Sequence, residues 1–539
     1  MSNTDKDIKR KHDDPNVYGV IGICGVVSNL IARMLMDHNY NVMGTDMHAK
    51  EECDYLYTLN DNKLPLYLAD HPVSFFKKST CIIIPPSLME TSDLFNKIKN
   101  YGLNVLTVED CLEIFKPEKP VICITGTNGK TTTTTLLKHI CRHVGLEPTE
   151  HGFRNLQGNI DYIPPLQARL TGDVAVLETG TFGKTGDLKI MVERCEPECG
   201  VVTNINPDHL DEDHDFMSYA SIKGEFIEYF KNKILIVNSD DPTIFGLIDS
   251  DEDNVITFGV DSSSAGIGYK TCWCGRDILI NETITGSGVY NCECGLTRPK
   301  PDYLAKEIDE SNGNYTLKTP EGEVDVEMQL IGLHNVYNSI GAIAAAREFF
   351  KIPLNEILTA IKSFKGVPGR IEHLYDHNGM DVLLDYGHNP AGIETVLREL
   401  KKVYNKITVV ITVSSESGES GDVEILEKAL KNGDFIVPAS FASRKAAEKQ
   451  EEYISTGKII FTDIYPVKFK QGTLGASSDQ VLEGLKKGLK CKTEALVCLG
   501  EAAFKYKENI LKLRDLQNLD CFYLVTLNVI LYILLYQLR

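Results

Sequence analysis

Hydrophobic residues along the chain form short continuous runs that alternate with stretches of helical spacing. The runs at 121–124, 174–177 and 199–202 are rich in Val and Ile, which is typical of strands buried on both faces of a parallel sheet. The first run enters a Gly/Asn turn, after which Leu136, Leu137 and Ile140 follow at helical spacing. The pattern predicts α/β domains built on parallel sheets.

The same pattern predicts the other elements. Strands are expected at 18–23, 40–44, 81–84, 104–107, 174–180, 199–205, 381–386, 407–413 and 495–499, and helices at 30–38, 94–101, 391–403 and 424–431 and from Met217 onward. The opening strand–helix–strand unit ends at Asp46, as a Rossmann unit does. Because Cys24 and Val27 stand where the second and third glycines of that motif belong, no dinucleotide cofactor is expected.

A chain of 539 residues is too long for one core, and roughly three domains are expected. Pro117 and Pro120 mark a boundary before the Gly/Asn turn. The predicted divisions are a disordered lead-in (1–17), a first domain (18–117), a central domain (118–365) with an insertion at about 270–303, a last domain (366–520) and an apolar tail (521–539).

The formal charge of −20 disfavours nucleic acid or an anionic membrane as the main partner. The polar N-terminus has no apolar h-region, so we expect no signal peptide and a cytoplasmic protein. Fifteen cysteines are then expected to be thiols and metal ligands. The apolar run at 521–536 is shorter than a bilayer-spanning helix. A terminal core element is expected there rather than stable membrane insertion, with a peripheral membrane or partner contact as the alternative.

The turn after the first run reads Gly-Thr-Asn-Gly-Lys-Thr at 126–131. Backbone N–H groups of such a turn and the helix that follows it attract phosphate oxygens. Lys130 is expected to reach the terminal phosphates of a nucleotide and the Thr131 hydroxyl to bind Mg²⁺. The full Walker pattern requires a glycine where Ile124 stands, so the loop is a shortened variant. The alternative is a turn that only caps a helix.

Two further strand ends deliver polar side chains to the same edge of the sheet. Glu178 ends one strand and His209 follows the next, and ligands bind at this carboxyl edge in doubly wound sheets. A carboxylate and an imidazole beside phosphates suit Mg²⁺. The structural alternatives are a salt bridge for Glu178 and a helix cap or core histidine for His209.

Four cysteines in the insertion predict a structural metal site. Cys272 and Cys274 form one Cys-x-Cys-Gly knuckle and Cys292 and Cys294 a second. Four thiolates satisfy tetrahedral Zn²⁺ and leave no open position for catalysis. One residue separates the cysteines of each pair, whereas the usual zinc ribbon has two. The alternative to a metal site is four unrelated thiols.

Several motifs in order resemble the Mur ligase family of ATP-dependent enzymes that add amino acids to cell-wall precursors. They are the segments 126–131, 204–211, 219–223, 237–242, 332–338, 368–370 and 385–390. The resemblance covers about residues 121–400, more than half the chain. It implies an α/β fold of three domains: a Rossmann-like domain that binds the UDP part of the substrate, a central P-loop ATPase domain with the zinc-ribbon insertion, and a Rossmann-like last domain.

The resemblance also implies roles for individual residues. The phosphates of ATP would be bound by Gly126, Thr127, Asn128, Gly129, Lys130, Thr131 and Thr132, and the magnesium by Thr131, Glu178 and His209. Lys223 would be carbamylated and coordinate a second Mg²⁺, with a plain helix-surface lysine as the alternative. His334, Asn335 and Asn338 would position the adenine side of ATP. Arg370, Asp385 and His388 would contact the nucleotide from the last domain.

The insertion is similar to that of two branches of the family, the MurT-type amidotransferase subunits and the archaeal pseudomurein peptide ligases. The opening Rossmann-like unit favours the second branch, because MurT-type subunits lack it. The expected activity is amide formation between a carboxylate of a UDP-linked precursor and an amino acid through an acyl-phosphate, by a monomer. A glutaminase-dependent amidotransferase subunit and a non-catalytic ATP-binding scaffold are the alternatives. The stretch 417–422 lacks the arginine that the family often has there, so the amino-acid pocket stays unassigned.

Overall fold

The computed structural model describes residues 17–59, 64–88, 91–153, 156, 158–159, 161–181, 183–206, 216–248, 254–261, 266–284, 286–309, 313–330, 332–414, 418–467 and 475–513. His209 and the apolar run at 521–536 lie outside these residues, as does the predicted lead-in apart from Val17. Within the described residues, no helix is both long and apolar enough to cross a bilayer.

The first domain is a parallel sheet of five strands in the order β3-β2-β1-β4-β5. Its strands are β1 (Val17–Ile21), β2 (Asn41–Thr45), β3 (Leu66–Tyr67), β4 (Cys81–Ile83) and β5 (Asn104–Leu106), and its helices are α1 (Val26–Asp37), α2 (Val73–Lys78), α3 (Asp93–Asn100) and α4 (Val108–Ile114). The predicted strands and helices of this region are confirmed to within a few residues.

The central region carries eleven strands among its described residues, divided between two sheets. In chain order they are β6 (Val121–Thr125), β7 (Ala175–Glu178), β8 (Cys199–Val202), β9 (Ile234–Asn238), β10 (Val255–Val260), β11 (Gly266–Thr271), β12 (Asp277–Ile284), β13 (Ser287–Tyr290), β14 (Tyr303–Asp309), β15 (Asn314–Thr319) and β16 (Gly322–Val326). The helices are α5 (Lys130–His143), α6 (Ile163–Gln167), α7 (Asp187–Cys195), α8 (Phe216–Tyr229), α9 (Pro242–Phe245), α10 (Leu333–Glu348) and α11 (Leu354–Ser363).

Eight of these strands form the central sheet, in the order β16-β15-β14-β10-β9-β8-β6-β7. Strands β7, β6, β8, β9, β10 and β14, which are neighbours in that order, run parallel. Strands β15 and β16 add an antiparallel edge. Helices α5, α10 and α11 cover one face, where Leu137 and Ile340 are fully buried, and α7 and α8 cover the other, where Phe226 is fully buried. Because both faces are covered, the inner parallel strands β6, β8 and β9 are mostly apolar and buried.

Strands β11, β12 and β13 form a separate antiparallel sheet, called here the knuckle sheet because both Cys-x-Cys-Gly segments lie at its ends. Segment 272–275 follows β11 and segment 292–295 follows β13. One face of this sheet is buried and contains Ile278, Ile280 and Tyr290.

The last domain is a five-stranded sheet in the order β17-β18-β21-β19-β20, parallel except for β17. Its strands are β17 (Glu372–His377), β18 (Met380–Asp385), β19 (Ile407–Ile411), β20 (Phe435–Pro438) and β21 (Ala495–Leu499), and its helices are α12 (Pro390–Val403), α13 (Gly418–Asn432), α14 (Phe441–Glu448), α15 (Glu451–Ser455), α16 (Ser478–Gly488) and α17 (Glu501–Lys505). The predicted strands and helices of this region are confirmed.

A buried arginine joins the first domain to the central one. Arg169 is 3% exposed, and its guanidinium donates to the carbonyl oxygen of Leu112 in α4 at 3.0 Å and to the Glu196 carboxylate at 2.9 Å. Leu166 and Leu170 pack in the same hydrophobic cluster as the first-domain helix α1. The two domains therefore share a core.

The expectation that all cysteines are thiols or metal ligands is wrong at one pair, because Cys24 and Cys53 form a disulfide. Cys24 lies in the turn between β1 and α1, and the segment after β2 folds back over that turn. The two Cα atoms are thereby brought to 4.9 Å, a distance that suits a disulfide. A contact between segments 29 residues apart left no local signal in the sequence.

Candidate active site

Strand β6 leads directly into the predicted phosphate loop. Gly126 has φ +144° and Gly129 has φ +86°, backbone conformations that favour glycine. A Cβ at Gly126 would lie 2.0 Å from Thr203 Oγ1, and one at Gly129 would lie 2.2 Å from Asn338 Oδ1. The two glycines therefore let the loop approach the neighbouring strand end and α10 closely.

Lys130 begins α5, and its ammonium lies against the loop. The Nζ atom donates to the carbonyl oxygens of Gly126 and Thr127, both at 2.8 Å. These contacts hold a positive charge at the loop, beside the N–H groups of the first turn of α5. Anionic phosphate oxygens are favoured at such a helix N-terminus.

The segment after β8 holds the other side of the loop. Asn204 Nδ2 donates to the carbonyl oxygen of Asn128 at 2.9 Å, and Asn204 Oδ1 accepts from the Asn128 N–H at 3.0 Å. Thr203 Oγ1 donates to the same Asn128 carbonyl at 2.6 Å, and the Thr127 hydroxyl donates to the carbonyl oxygen of Asn206 at 3.1 Å. The conformation of the loop is thus fixed by side chains from a neighbouring strand.

Glu178 lies at the end of β7, on the same rim as Thr131, and both residues line one cleft. Glu178 Oε1 accepts from Asn159 Nδ2 at 2.7 Å. A hydroxyl and a carboxylate are hard oxygen ligands of the kind Mg²⁺ prefers, so these two residues fit the ion. His209, the third predicted ligand, lies outside the described residues.

Lys223 lies on α8 and is 1% exposed. Its Nζ is 3.5 Å from Thr125 Oγ1 and 5.5 Å from the centre of the Tyr219 ring. The side chain therefore points beneath the carboxyl end of β6 and not into solvent, which disfavours the alternative of a plain helix-surface lysine.

Helix α10 supplies the predicted His334, Asn335 and Asn338, and all three line the cleft. Asn338 Oδ1 lies 3.5 Å from the Thr133 hydroxyl of α5. Burial lowers the pKa of His334, so its imidazole is neutral at pH 7. Its Nδ1 atom is buried and has no hydrogen-bond partner among the described residues.

The last domain contributes a second set of side chains. The Asp385 carboxylate accepts from the N–H groups of Ile371 at 2.8 Å and Gly387 at 2.7 Å, so it ties the interdomain linker to the end of β18. The Arg370 guanidinium lies 5.2 Å from the centre of the Tyr386 ring. Arg370, Asp385 and His388 all line the same cleft as the phosphate loop.

A cleft between the central and last domains is lined by residues of the phosphate loop, α10 and α12. The N-termini of α5 and α12 both border it, and Gly392 of α12 approaches Asn128 Oδ1, which would lie 3.5 Å from a Cβ at that glycine. Two helix N-termini, Lys130 and Arg370 supply positive charge to a cleft that also contains the Glu178 and Asp385 carboxylates. The residues present fit the polyphosphate of ATP.

The structure brings the four cysteines of the knuckle sheet together. Their Sγ atoms lie within 4.8 Å of one another, and Cys272 and Cys294 are 3.6 Å apart. In each knuckle the glycine N–H donates to the carbonyl of the first cysteine, at 2.8 Å from Gly275 and 2.9 Å from Gly295. Four converging thiols fit tetrahedral Zn²⁺.

Several residues that line the cleft were not among the predicted site residues. They are Thr203, Asn204, Asn206, Asn238, Phe258, Ile284, Tyr337, Ile371, Gly387, Ala391, Gly392, Thr395 and Val396. Asn204 lies in a motif on which the resemblance rests, so its position after β8 was the available signal. Ile284 comes from the knuckle sheet, and nothing in the sequence connected that insertion with the phosphate loop.

Comparison with known proteins agrees with this architecture. Residues 124–346 match the model of the Mur ligase middle domain, and residues 369–457 match that of the Mur ligase glutamate ligase domain. A UDP-N-acetylmuramate–L-alanine ligase of Caldicellulosiruptor saccharolyticus is 27% identical over 496 residues, covering 88% of this chain and 90% of that protein.

Solved structures give the same result. The pseudomurein peptide ligase type C of Methanothermus fervidus is 36% identical, with a TM-score of 0.79, and the match covers 92% of this chain and 99% of that one. The UDP-N-acetylmuramate–alanine ligase of Thermotoga maritima, 17% identical with a TM-score of 0.56, shares the fold over 93% of this chain and 99% of its own. The chain thus belongs to the Mur ligase family and is an ATP-dependent amide-bond ligase.

Proposed function

We propose that this ligase joins an amino acid to a carboxylate of a UDP-linked cell-wall precursor of the pseudomurein type, and that ATP is converted to ADP and phosphate. The observation that carries the proposal is the single cleft in which the phosphate loop with Lys130 faces Arg370 and Asp385 of the last domain. The likeness to a pseudomurein peptide ligase at 36% identity supports this substrate class.

The proposed reaction begins with transfer of the terminal phosphoryl group of ATP to the acceptor carboxylate. Lys130 and the N-terminus of α5 stabilise the negative charge that develops on the phosphoryl oxygens. The amine of the amino acid then attacks the acyl-phosphate, the amide bond forms and phosphate leaves. Arg370 closes over the nucleotide from the last domain and excludes water, which protects the acyl-phosphate from hydrolysis.

Magnesium would be held by Thr131, Glu178 and His209, and when bound it would neutralise charge between ATP and the acceptor. Carbamylation of Lys223 would convert a buried cation into a carboxylate directed at a second Mg²⁺. Its burial supports this role over that of a surface lysine, because a side chain that is 1% exposed lies inside the rim and not in solvent. The phosphate-loop residues 126–132 and the α10 residues His334, Asn335 and Asn338 would bind the rest of ATP.

The first domain, residues 18–117, would bind the UDP part of the acceptor at the carboxyl edge of its sheet. Its presence disfavours the amidotransferase-subunit alternative, since MurT-type subunits lack such a domain. The central domain would span residues 118–365 and the last domain 366–520. A structural Zn²⁺ would be held by the four cysteines of the knuckle sheet.

A screen of the twenty amino acids with UDP-linked acceptors tests the proposal. We expect ADP and phosphate release that needs both one amino acid and one acceptor, together with an amide product visible by mass spectrometry. Reactions without acceptor and reactions without amino acid are the controls. Equal phosphate release when the acceptor or the amino acid is left out, or activity only with ammonia or with a glutaminase partner and glutamine, would contradict the proposal.

A further inference from the structure

The knuckle sheet contacts the walls of the nucleotide cleft through buried polar groups. Lys270 of β11 is 7% exposed, and its Nζ lies 2.7 Å from Asp241 Oδ1 and donates to the carbonyl oxygen of Ile205 at 2.8 Å. The second oxygen of Asp241 accepts from the Ile205 N–H at 2.7 Å. The N–H and the carbonyl of Ile205 are therefore both hydrogen-bonded. This residue lies between Asn204 and Asn206, which line the cleft.

A second buried contact joins the sheet to α10. The Tyr337 hydroxyl donates to Asp240 Oδ2 at 2.7 Å, and the Thr283 hydroxyl of β12 lies 2.6 Å from the Tyr337 oxygen. Since the Tyr337 proton goes to the carboxylate, only Thr283 can donate in the second contact, and its hydroxyl also lies 3.1 Å from the carbonyl oxygen of Ser287. Arg298, which follows the second knuckle, donates to the other oxygen of Asp240 at 2.7 Å.

The two contacts lead into opposite walls of the cleft. Tyr337 itself lines the cleft and is followed in α10 by Asn338, whose side chain packs against Gly129 of the phosphate loop. Ile205 lies beside Asn204, which holds Asn128. Ile284, next to Thr283, also lines the cleft.

We propose that the knuckle sheet is a positioning element of the nucleotide cleft, acting through Lys270 on the segment after β8 and through Thr283 on Tyr337 of α10. The inference rests on the proposed function for the identity of the nucleotide. It gives the insertion a role in ATP binding beyond stabilising its own fold. Each contact is buried. Loss of the Thr283 hydroxyl removes one of two hydrogen bonds of the Tyr337 hydroxyl, and loss of the Lys270 ammonium removes a donor to the Ile205 carbonyl, in a site where water does not replace them.

Thr283→Val tests the role, because it replaces the hydroxyl with a methyl group of the same shape. Thr271→Val makes the same change at an exposed position of the same sheet, and Thr283→Ser keeps the hydroxyl. Affinity for MgATP is measured by calorimetry, KM for ATP and kcat by amide formation, and metal content and melting temperature serve as checks of folding.

We expect Thr283→Val to weaken MgATP binding roughly fivefold to thirtyfold and to raise KM for ATP more than it lowers kcat. Thr271→Val and Thr283→Ser should stay within about twofold of the unaltered protein. Because the two hydroxyls act as a unit, Thr283→Val should add little to Tyr337→Phe.

Equal MgATP affinity of the Thr283→Val and Thr271→Val proteins would overturn the positioning role, as would additive effects of Thr283→Val and Tyr337→Phe. Failure of the unaltered protein to bind MgATP or to form an amide would instead contradict the proposed function. The experiment therefore distinguishes an error in the positioning role from an error in the proposed function.

Discussion

Asn204 holds Asn128 of the phosphate loop by both of its backbone groups, donating to the carbonyl oxygen at 2.9 Å and accepting from the N–H at 3.0 Å. The contact joins the segment after β8 to the loop after β6, and it fixes the peptide that precedes Gly129 and Lys130. The loop is thereby organised before any phosphate binds, and preorganisation of this kind lowers the cost of binding.

Asn204→Ala should weaken MgATP binding roughly tenfold to thirtyfold, because two hydrogen bonds that order the loop are lost. Asn254→Ala is the matched control, since Asn254 Nδ2 donates to the carbonyl oxygen of Phe230 at 2.8 Å and does not line the cleft. Calorimetric titration with MgATP measures both. Equal affinities for the two variants would show that the Asn204 contact does not order the loop.

One zinc ion per chain should be found in protein purified without added zinc, because four thiols converge within 4.8 Å. Cys274→Ser should lower the zinc content and the melting temperature, since metal binding contributes directly to folding. Cys491→Ser changes a cysteine outside the cluster and should leave both unchanged. Elemental analysis that finds no zinc would refute the site.

His151 should make the protein sensitive to mild acid. Burial lowers its pKa to about 4, aided by the charge of Lys138, and its Nδ1 accepts from the Phe153 N–H at 3.1 Å. The unfolded chain, with an ordinary histidine pKa near 6.5, binds the proton more strongly than the folded one. The free energy of unfolding should therefore fall as the pH falls from about 6.5 to about 4, by on the order of 2–3 kcal/mol.

Urea unfolding at several pH values measures this dependence. His151→Gln should flatten it between pH 6.5 and pH 4, whereas His38→Gln, at an exposed position, should leave it as it is. The same slope in His151→Gln and the unaltered protein would mean that other groups cause the acid sensitivity.

Lys223→Ala should abolish amide formation, because the proposed carbamate and the metal that it binds are lost. Short carboxylic acids such as acetate, supplied in solution, should restore part of the activity by placing a carboxylate in the vacated space. The Lys130→Ala protein is the control, since an added carboxylate cannot replace its cation. Full activity of Lys223→Ala without added acid would refute the carbamate.

Local patterns in the sequence predicted much of this molecule, and contacts between distant segments account for what they missed. The phosphate loop could be predicted because its strand, turn and helix are consecutive in the sequence. The cysteine knuckles could be predicted because their spacing is regular. Asp385 was predicted to contact the nucleotide. In the structure both of its oxygens accept backbone N–H groups, from Ile371 and Gly387, so it also has a role in holding the linker.

The Cys24–Cys53 disulfide and the contact between Thr283 and Tyr337 could not be predicted. The second joins residues 54 positions apart and depends on how the insertion packs against α10. Tyr337 lies in the 332–338 motif, but Thr283 belongs to no recognisable spacing, and a buried threonine looks in sequence like any other core residue of a strand.

The most direct test of the account is amide formation by Lys130→Ala compared with Lys138→Ala. Both lysines lie on α5, but Lys138 pairs with Glu150 at 2.7 Å and does not line the cleft. We expect Lys130→Ala to fold normally and to lose at least roughly a hundredfold in turnover, while Lys138→Ala remains active. Near-normal turnover of a folded Lys130→Ala protein would contradict the assignment of this loop as the ATP site.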